Sequence, residues 1–349
     1  MWRGFAGAVR ASALDLDDGH YRGGAIHPSS VIVPALLAAA DPSTSRHDIA
    51  VAQIAGYEIG LRAAHLLWPR HELDDYHCTG TAATLGAAAA VARLRGGNTD
   101  AIARAIAIAW AHAPMSTFQL PMVKESIGWS AATAVAAADL AAAGFMRMPP
   151  GVRSAMDDTF PPTPFHRAGA MDDPFVGGLG ERWETANTYF KPYACCRYTH
   201  TALRSLRELM DEGVVTGPDD VTAIEVFTPR ASMNLTEQRP VSLEHAQYSF
   251  PFVLATMLCT GDAGGLQIVD DAVADPARLA VAARVRVHHD PALDPTYPAH
   301  YATRIEVHTR SGVHERLRLI APGDPEDPMT DDDLLAKFES LVAGTPLAG

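Results

Sequence analysis

Charge is what this chain has least of. Charged residues fill 20% of its 349 positions, against about 25% in an ordinary soluble domain. What charge there is leans acidic, with 28 Lys and Arg against 41 Asp and Glu and a net charge of −13. A chain so poor in cations has no basic face for phosphate, which argues against nucleic acid as a partner. It does not exclude anionic metabolites, because a few local cations can hold a carboxylate inside an acidic protein. Cysteine is scarce too: Cys78, Cys195, Cys196 and Cys259. No pair has zinc-site spacing and two are adjacent, so a reducing, cytoplasmic setting is expected.

Other absences narrow the class further. The longest apolar run, 131–145, is interrupted by Asp139 and falls short of the ~20 residues of a membrane span. Met1-Trp-Arg-Gly-Phe5 lacks the apolar core of a secretory signal. No P-loop is present, Gly177-Gly-Leu-Gly180 is too short, and no Gly-x-Gly-x-x-Gly follows a predicted strand, so no nucleotide cofactor is expected. The histidines are scattered, with no His-x-x-x-His. His288 and His289 are adjacent on a strand and point to opposite faces, so no metal is expected either.

What is there is alanine. Hydrophobic residues reach 48%, and the excess is Ala. After an irregular, polar 1–30, His27-Pro-Ser-Ser30 reads as a helix start ahead of 31–40. Further helices are predicted over 46–67, 78–95, 98–112 and 123–144. Pro, Asp and Gly then dominate to residue 180. From about 221 the periodicity changes to alternation, with strands at 222–228, 283–288, 304–308 and 314–319 and a turn at Ser311-Gly312. Helices at 196–212 and 250–259 are interleaved, and an amphipathic helix closes the chain at 331–343. The reading is mainly α: an all-helical domain over 1–188, a smaller α+β lid over 189–325, and a C-terminal helix, 326–349, returning to the helical domain.

A few polar residues stand out against this apolar background. His77 lies at the mouth of the Ala-rich third helix, where the positive end of the macrodipole disfavours imidazolium. His27 precedes another helix start. Each could equally be a cap. Lys124 sits in Met122-Val-Lys-Glu-Ser-Ile-Gly128, and a lysine is seldom buried without a partner or a task; Glu125 could be that partner. Lys191 opens the aromatic stretch Tyr189-Phe-Lys-Pro-Tyr-Ala-Cys-Cys-Arg-Tyr-Thr-His200. Cys196, His200 and Arg204 are spaced four apart on a predicted helix and would share a face, with Cys196 as a helix-N-terminal thiol. The acidic run Asp15, Asp17, Asp18 reads by default as a solvated turn.

These motifs, in this order, resemble the MmgE/PrpD family, which includes 2-methylcitrate dehydratase, cis-aconitate decarboxylase and iminodisuccinate epimerase. The matching elements are Leu14-Asp-Leu-Asp-Asp18 with His27-Pro-Ser, Gly56-Tyr-Glu-Ile-Gly60, His77-x-Thr-Gly-Thr81, Lys124 with Gly128, Lys191-Pro-Tyr-Ala-Cys-Cys-Arg-Tyr-Thr-His200, and Tyr248-Ser-Phe-Pro-Phe252. The chain is N-terminally short for that family. The resemblance implies a helical domain plus an α+β lid with the site between them, a homodimer, and cofactor-free chemistry on a small-molecule di- or tricarboxylic acid. It also implies that Asp15, His27, His77, Lys124 and Lys191 are catalytic and that Thr79, Cys196, Arg197 and His200 contact substrate. The expected activity is that of a lyase removing water after proton abstraction α to a carboxylate, with two lysines neutralising the enediolate. Epimerisation and decarboxylation are the alternatives, and a non-catalytic scaffold is the alternative of another class. Decarboxylases of the family carry a lid histidine near Cys196 and a tyrosine near Phe252. Neither is here, so the substrate's carboxylates are expected to survive. Which imidazole is acid and which is base stays open.

Overall fold

Alanine side chains are small enough to let helices approach until their backbones meet, and the first half of the chain is built on that. The computed structural model describes residues 1–20, 26–73, 77–115, 122–145, 164–166 and 169–346, without the side chains of 69–73, 122, 123, 125 and 166. Backbone contacts divide the chain into two units, Met1–Ala13 with Asp17–Thr188, and Leu14–Leu16 with Tyr189–Gly349. The fold is mainly α, an all-helical unit accompanied by a smaller α+β one.

The helical unit contains α1 (Trp2–Ser12), α2 (Ser29–Ala39), α3 (Arg46–Leu73), α4 (Cys78–Leu94), α5 (Thr99–His112) and α6 (Met122–Ala142). Every residue of α4 from Cys78 to Ala92 is buried, and α2, α3, α5 and α6 pack around it. Such a helix has no polar face to read and is recognised by its composition and its ends. The α3–α4 crossing is the closest approach. A Cβ on Gly86 would lie 2.4 Å from the carbonyl oxygen of Gly56, and one on Gly56 would lie 2.9 Å from that of Gly86. Asn98 caps α5 by accepting the Ala101 N–H at 3.0 Å.

Residues 1–30 are not irregular throughout: α1 is a helix that the sequence reading missed. Its buried positions are Gly4, Ala8 and Ser12, a four-residue repeat of small side chains. That stripe lets α1 lie on α2 and α6.

A buried polar lattice fastens 176–185 to α3. Arg62 pairs with Glu58 and donates to the carbonyls of Val176 at 3.2 Å and Arg182 at 2.9 Å. Glu58 accepts the Thr185 N–H and hydroxyl at 2.8 and 2.6 Å. Breaking one partner of such a network leaves an uncompensated buried charge, which typically costs about 3–5 kcal/mol.

In the second unit, β1 (Val221–Thr228), β2 (Val285–His289), β3 (Thr303–Thr309) and β4 (Gly312–Arg318) form a sheet of order β2-β1-β3-β4. The β1–β2 pair is parallel and the other two are antiparallel. Ile224, Val226, Ile305 and Val307 point into a core closed by α7 (His200–Asp211) and α8 (Phe250–Thr260). The Tyr248-Ser-Phe-Pro-Phe252 motif is the start of α8. Ser249 accepts the Phe252 N–H at 3.0 Å, and Pro251 occupies the first turn, where its missing N–H is harmless. The last helix, α9 (Asp331–Val342), has a full capping box at Thr330 and Asp333. It groups with the second unit rather than returning to the helical one as expected; Lys337 Nζ donates to the Leu16 carbonyl at 2.8 Å. Among the described residues no helix is long and apolar enough to cross a membrane.

The α3–α4 contact has a direct consequence. Gly86→Ala forces the two backbones apart, and overpacking of this kind costs about 1–3 kcal/mol. Urea unfolding of the variant is expected to show a lower midpoint at an unchanged slope. An unchanged midpoint contradicts the crossing.

Candidate active site

Two histidines of the helical unit are brought together by one threonine. His77 is the N-cap of α4, in extended backbone conformation, and its Nδ1 accepts the Thr79 N–H at 3.2 Å. The Thr79 hydroxyl in turn accepts the His27 N–H at 3.0 Å. The two rings stack with centroids 5.7 Å apart and planes 21° from parallel. His77 is buried and the His27 side chain is 15% exposed. Thr79 is wholly buried and links the His77 ring to the main-chain N–H of His27. Its hydroxyl accepts from His27 and keeps its own hydrogen to donate.

The partners fix the protons. His27 Nδ1 lies 2.7 Å from the main-chain carbonyl of Asp18. A carbonyl cannot donate, so Nδ1 carries the hydrogen and the basic lone pair of the neutral ring lies on Nε2. At His77 the partner is an N–H, so Nδ1 must accept and the neutral ring carries its hydrogen on Nε2. The two stacked rings therefore hold opposite tautomers. Asp17 Oδ1 also lies 3.6 Å from His27 Nδ1.

The acidic run is not a solvated turn. The Asp15 and Asp17 side chains are 6% and 4% exposed, and Asp18 is buried. Asp18 Oδ1 accepts the Ser29 N–H at 3.0 Å, and Oδ2 accepts the Tyr57 hydroxyl at 2.6 Å. Burial pushes the Asp18 carboxyl above its ordinary range, against the pull of those hydrogen bonds. Burial and the neighbouring Asp18 raise Tyr57 well above the usual phenol range. Tyr57 was not singled out by the sequence reading, and Asp18 was named there only as part of the acidic run. The signal lay in Gly56-Tyr-Glu-Ile-Gly60, where a tyrosine sits between two packing glycines.

Lys124 is buried on α6, and its Nζ donates to the Ser12 carbonyl at the end of α1. A cation there meets the negative end of the helix. The Glu125 side chain lies outside the described residues.

The remaining candidates belong to the second unit. Lys191 Nζ lies 3.0 Å from Asp15 Oδ2, with both side chains buried. Asp15 has φ of 52°, a strained conformation for a residue with a Cβ, and such outliers persist only where their surroundings hold them. Arg197 pairs with Asp324, donates to the Pro322 carbonyl at 2.6 Å, and lies over the Tyr189 ring at 4.5 Å. It also donates to His200 Nδ1 at 3.1 Å, while His200 Nε2 donates to the Cys195 carbonyl at 3.1 Å. Burial and the nearby Arg197 charge hold His200 well below the usual imidazole range. Both His200 ring nitrogens and the Arg197 guanidinium have partners within the unit. Cys196 is also placed differently from the sequence reading. A 3₁₀ turn, Arg197–Thr199, follows it and α7 begins only at His200. Arg204 is turned outward, 42% exposed and paired with Glu208, so the three do not share a face. The neighbouring Cys195 thiol is raised by burial. Among the described residues no group of three or more His, Cys, Asp or Glu side chains is arranged to hold a metal ion.

Next to His27 in the chain, the Ile26 carbonyl accepts the His20 N–H at 3.0 Å, and the His20 ring lies 3.5 Å from Glu184. Burial works to raise the Glu184 carboxyl. The hydrogen bonds of His20 and Asn187 and the charge of Arg182 outweigh it and hold the group at about 2.

Comparison with known proteins covers both units. Residues 3–154 match the model of the MmgE/PrpD N-terminal domain, and residues 193–346 match that of the MmgE/PrpD C-terminal domain. Curated relatives include a cis-aconitate decarboxylase of Aspergillus terreus, 25% identical over 95% of this chain and 72% of the relative. They also include a cis-aconitate decarboxylase-like protein, oryM, of Aspergillus oryzae, 24% identical over 95% of this chain and 73% of the relative.

The Glu184 environment gives a pH dependence of stability. A carboxyl depressed in the fold stabilises above its unfolded value of 4.5, and that stabilisation is lost as pH falls towards about 2. The loss amounts to roughly 3 kcal/mol at most. Chemical denaturation between those pH values is expected to show a steeper fall for the native chain than for Glu184→Gln. Equal slopes contradict the assignment.

Proposed function

The chain belongs to the MmgE/PrpD family, and on that premise we propose that it is a cofactor-independent lyase that removes water from a hydroxy di- or tricarboxylic acid. The observation that carries this reading is the pair of opposite tautomers on the stacked His27 and His77 rings. His27 presents a lone pair on Nε2 and is the base that takes the proton α to a carboxylate. The imidazolium so formed keeps its Nδ1–H on the Asp18 carbonyl and stands beside Asp17. His77 keeps a neutral ring whose Nε2–H donates to the oxygen on which enediolate charge develops. A neutral imidazole suits that task, since it stabilises charge without giving up its proton. His27 then returns its proton to the leaving hydroxyl, so that one substrate hydrogen and one hydroxyl depart as water and both rings end as they began.

Lys191 and Lys124 are the cations proposed to meet substrate carboxylates. Each has an anionic or carbonyl partner in the resting protein, and an ammonium has three donors to share.

Decarboxylation is the second reading, and what favours it is the name borne by the two curated relatives. There the bond to one carboxylate breaks, its electron pair stays on carbon as a carbanion-like intermediate held by the same cations, and an imidazolium protonates that carbon as carbon dioxide leaves.

The test is incubation with citrate, 2-methylcitrate and cis-aconitate in deuterium oxide, followed by NMR. An unsaturated product from a hydroxy acid, with deuterium entering Cα, supports dehydration. Carbon dioxide release from cis-aconitate moves the assignment to the second reading, and no exchange on any of the three contradicts both. His27→Ala is expected to lower kcat by about 10²–10⁴-fold, the usual size of a general acid–base contribution. His77→Asn keeps a good helix cap and is expected to lose about 10²–10³-fold in kcat, as a missing oxyanion donor does. Full turnover in His77→Asn would make His77 a cap alone.

A further inference from the structure

We propose that Tyr57 and Asp18 are positioning residues that hold His27 in its Nδ1–H tautomer, acting through the main chain and not on the substrate. The proposal rests on the reading of His27 as the base.

The chain of contacts runs in one direction. The Tyr57 hydroxyl donates to Asp18 Oδ2 at 2.6 Å, and the Ser29 N–H donates to Oδ1 at 3.0 Å. With both carboxylate oxygens pinned, the side chain of Asp18 fixes its own backbone. The Asp18 carbonyl then accepts from His27 Nδ1 at 2.7 Å. A short path through the protein, from a phenol to an imidazole, thus decides where the proton of His27 sits.

Each link has a reason to be where it is. The N-cap of α2 is Pro28, which supplies no side-chain cap. Asp18, reaching in from an earlier segment, provides the missing carboxylate at the positive end of that helix. Tyr57 stands on α3 beside Gly56, at the point where α3 touches Gly86 of α4 backbone to backbone. A side chain rooted there cannot drift, since neither backbone has room to move. Thr79 and His77 spring from the start of the same α4. Both imidazoles are therefore referred to one rigid crossing, His77 directly and His27 by way of Tyr57 and Asp18. A carbonyl is also a different orienter from a carboxylate. It fixes the tautomer and the ring plane yet cannot itself take the proton, so the proton His27 collects stays on the imidazole for return.

The experiment labels the protein with ¹⁵N-histidine and reads ring tautomers by long-range ¹H–¹⁵N correlation, with His27→Ala assigning the His27 signals. The native protein is expected to show His27 as the Nδ1–H form. Tyr57→Phe deletes one hydroxyl and is expected to convert those signals to a mixture of both tautomers while His77 is unmoved. Its kcat on whichever probe of the substrate panel turns over is expected to fall about 10–100-fold at unchanged KM, the usual cost of losing an outer partner of a functional histidine. Asp18→Asn is the conservative rescue, since the amide oxygen can take the Ser29 N–H and the amide N–H can reach the Tyr57 oxygen; its His27 signals are expected to stay single. Should Tyr57→Phe fail to fold, Asp18→Ala removes the acceptor of both donors while keeping the Asp18 carbonyl position in the chain, and the same mixing is expected. A folded Tyr57→Phe or Asp18→Ala variant that keeps His27 wholly in the Nδ1–H form overturns the proposal. The tautomer readout needs no substrate. A native protein inert on every probe would therefore sink the lyase reading, while the His27 signals of the variants would still decide whether Tyr57 and Asp18 set the tautomer.

Discussion

The contact on which the rest of the helical unit depends is the meeting of α3 and α4 at Gly56, Gly60 and Gly86. A methyl added to Gly56 or Gly86 would crowd the other's carbonyl oxygen, while one on Gly60 would make ordinary contact. That closeness makes α4 buried on all sides, and a helix so enclosed has only its ends to offer for chemistry. Its N-terminal end carries His77 as cap and Thr79 two residues on. The same crossing roots Tyr57, and through Asp18 it sets the ring of His27. Packing at one point is thus converted into the placement of protons at another.

Electrostatics repeats the theme in a different form. The chain contains three lysines, and each donates into residues 12–16: Lys124 to the Ser12 carbonyl, Lys191 to the Asp15 carboxylate and Lys337 to the Leu16 carbonyl. Arginine does the architectural work elsewhere, as Arg62 and Arg197 show with their several main-chain acceptors. Arginine's planar fork suits fixed, many-sided contacts. An ammonium is a compact point charge that can share its donors with a new anion. The strain at Asp15, with φ of 52°, falls in this same short segment.

Much of this was legible in the sequence, and the reasons are physical. Helix ends announce themselves by caps, so the start of α5 at Asn98 could be read directly. Alternation marked the strands because one face of the sheet is buried. The histidines and lysines stood out because α4 and α6 are otherwise apolar. What stayed hidden was long-range. α1 was lost although Trp2, Phe5 and Val9 recur at helical spacing, because the positions it buries, Gly4, Ala8 and Ser12, are small residues. The acidic run was misread because sequence cannot tell that Tyr57, nearly forty residues on, will supply Asp18 with a donor. The partners of Arg197 and His200, Asp324 and the Cys195 carbonyl, were invisible because they are fixed only by folding. The acid–base ambiguity of the two imidazoles had the same cause: a tautomer is set by the partner of the other ring nitrogen, and neither partner is visible in the motif.

The placement of two hydrogen atoms therefore decides the chemistry. Neutron diffraction from a deuterium-exchanged crystal at a pH where both rings are neutral would locate them directly. Deuterium on His27 Nδ1 and on His77 Nε2, with His77 Nδ1 bare towards the Thr79 amide, is the result the account requires. Deuterium on His27 Nε2, or on His77 Nδ1, would contradict it.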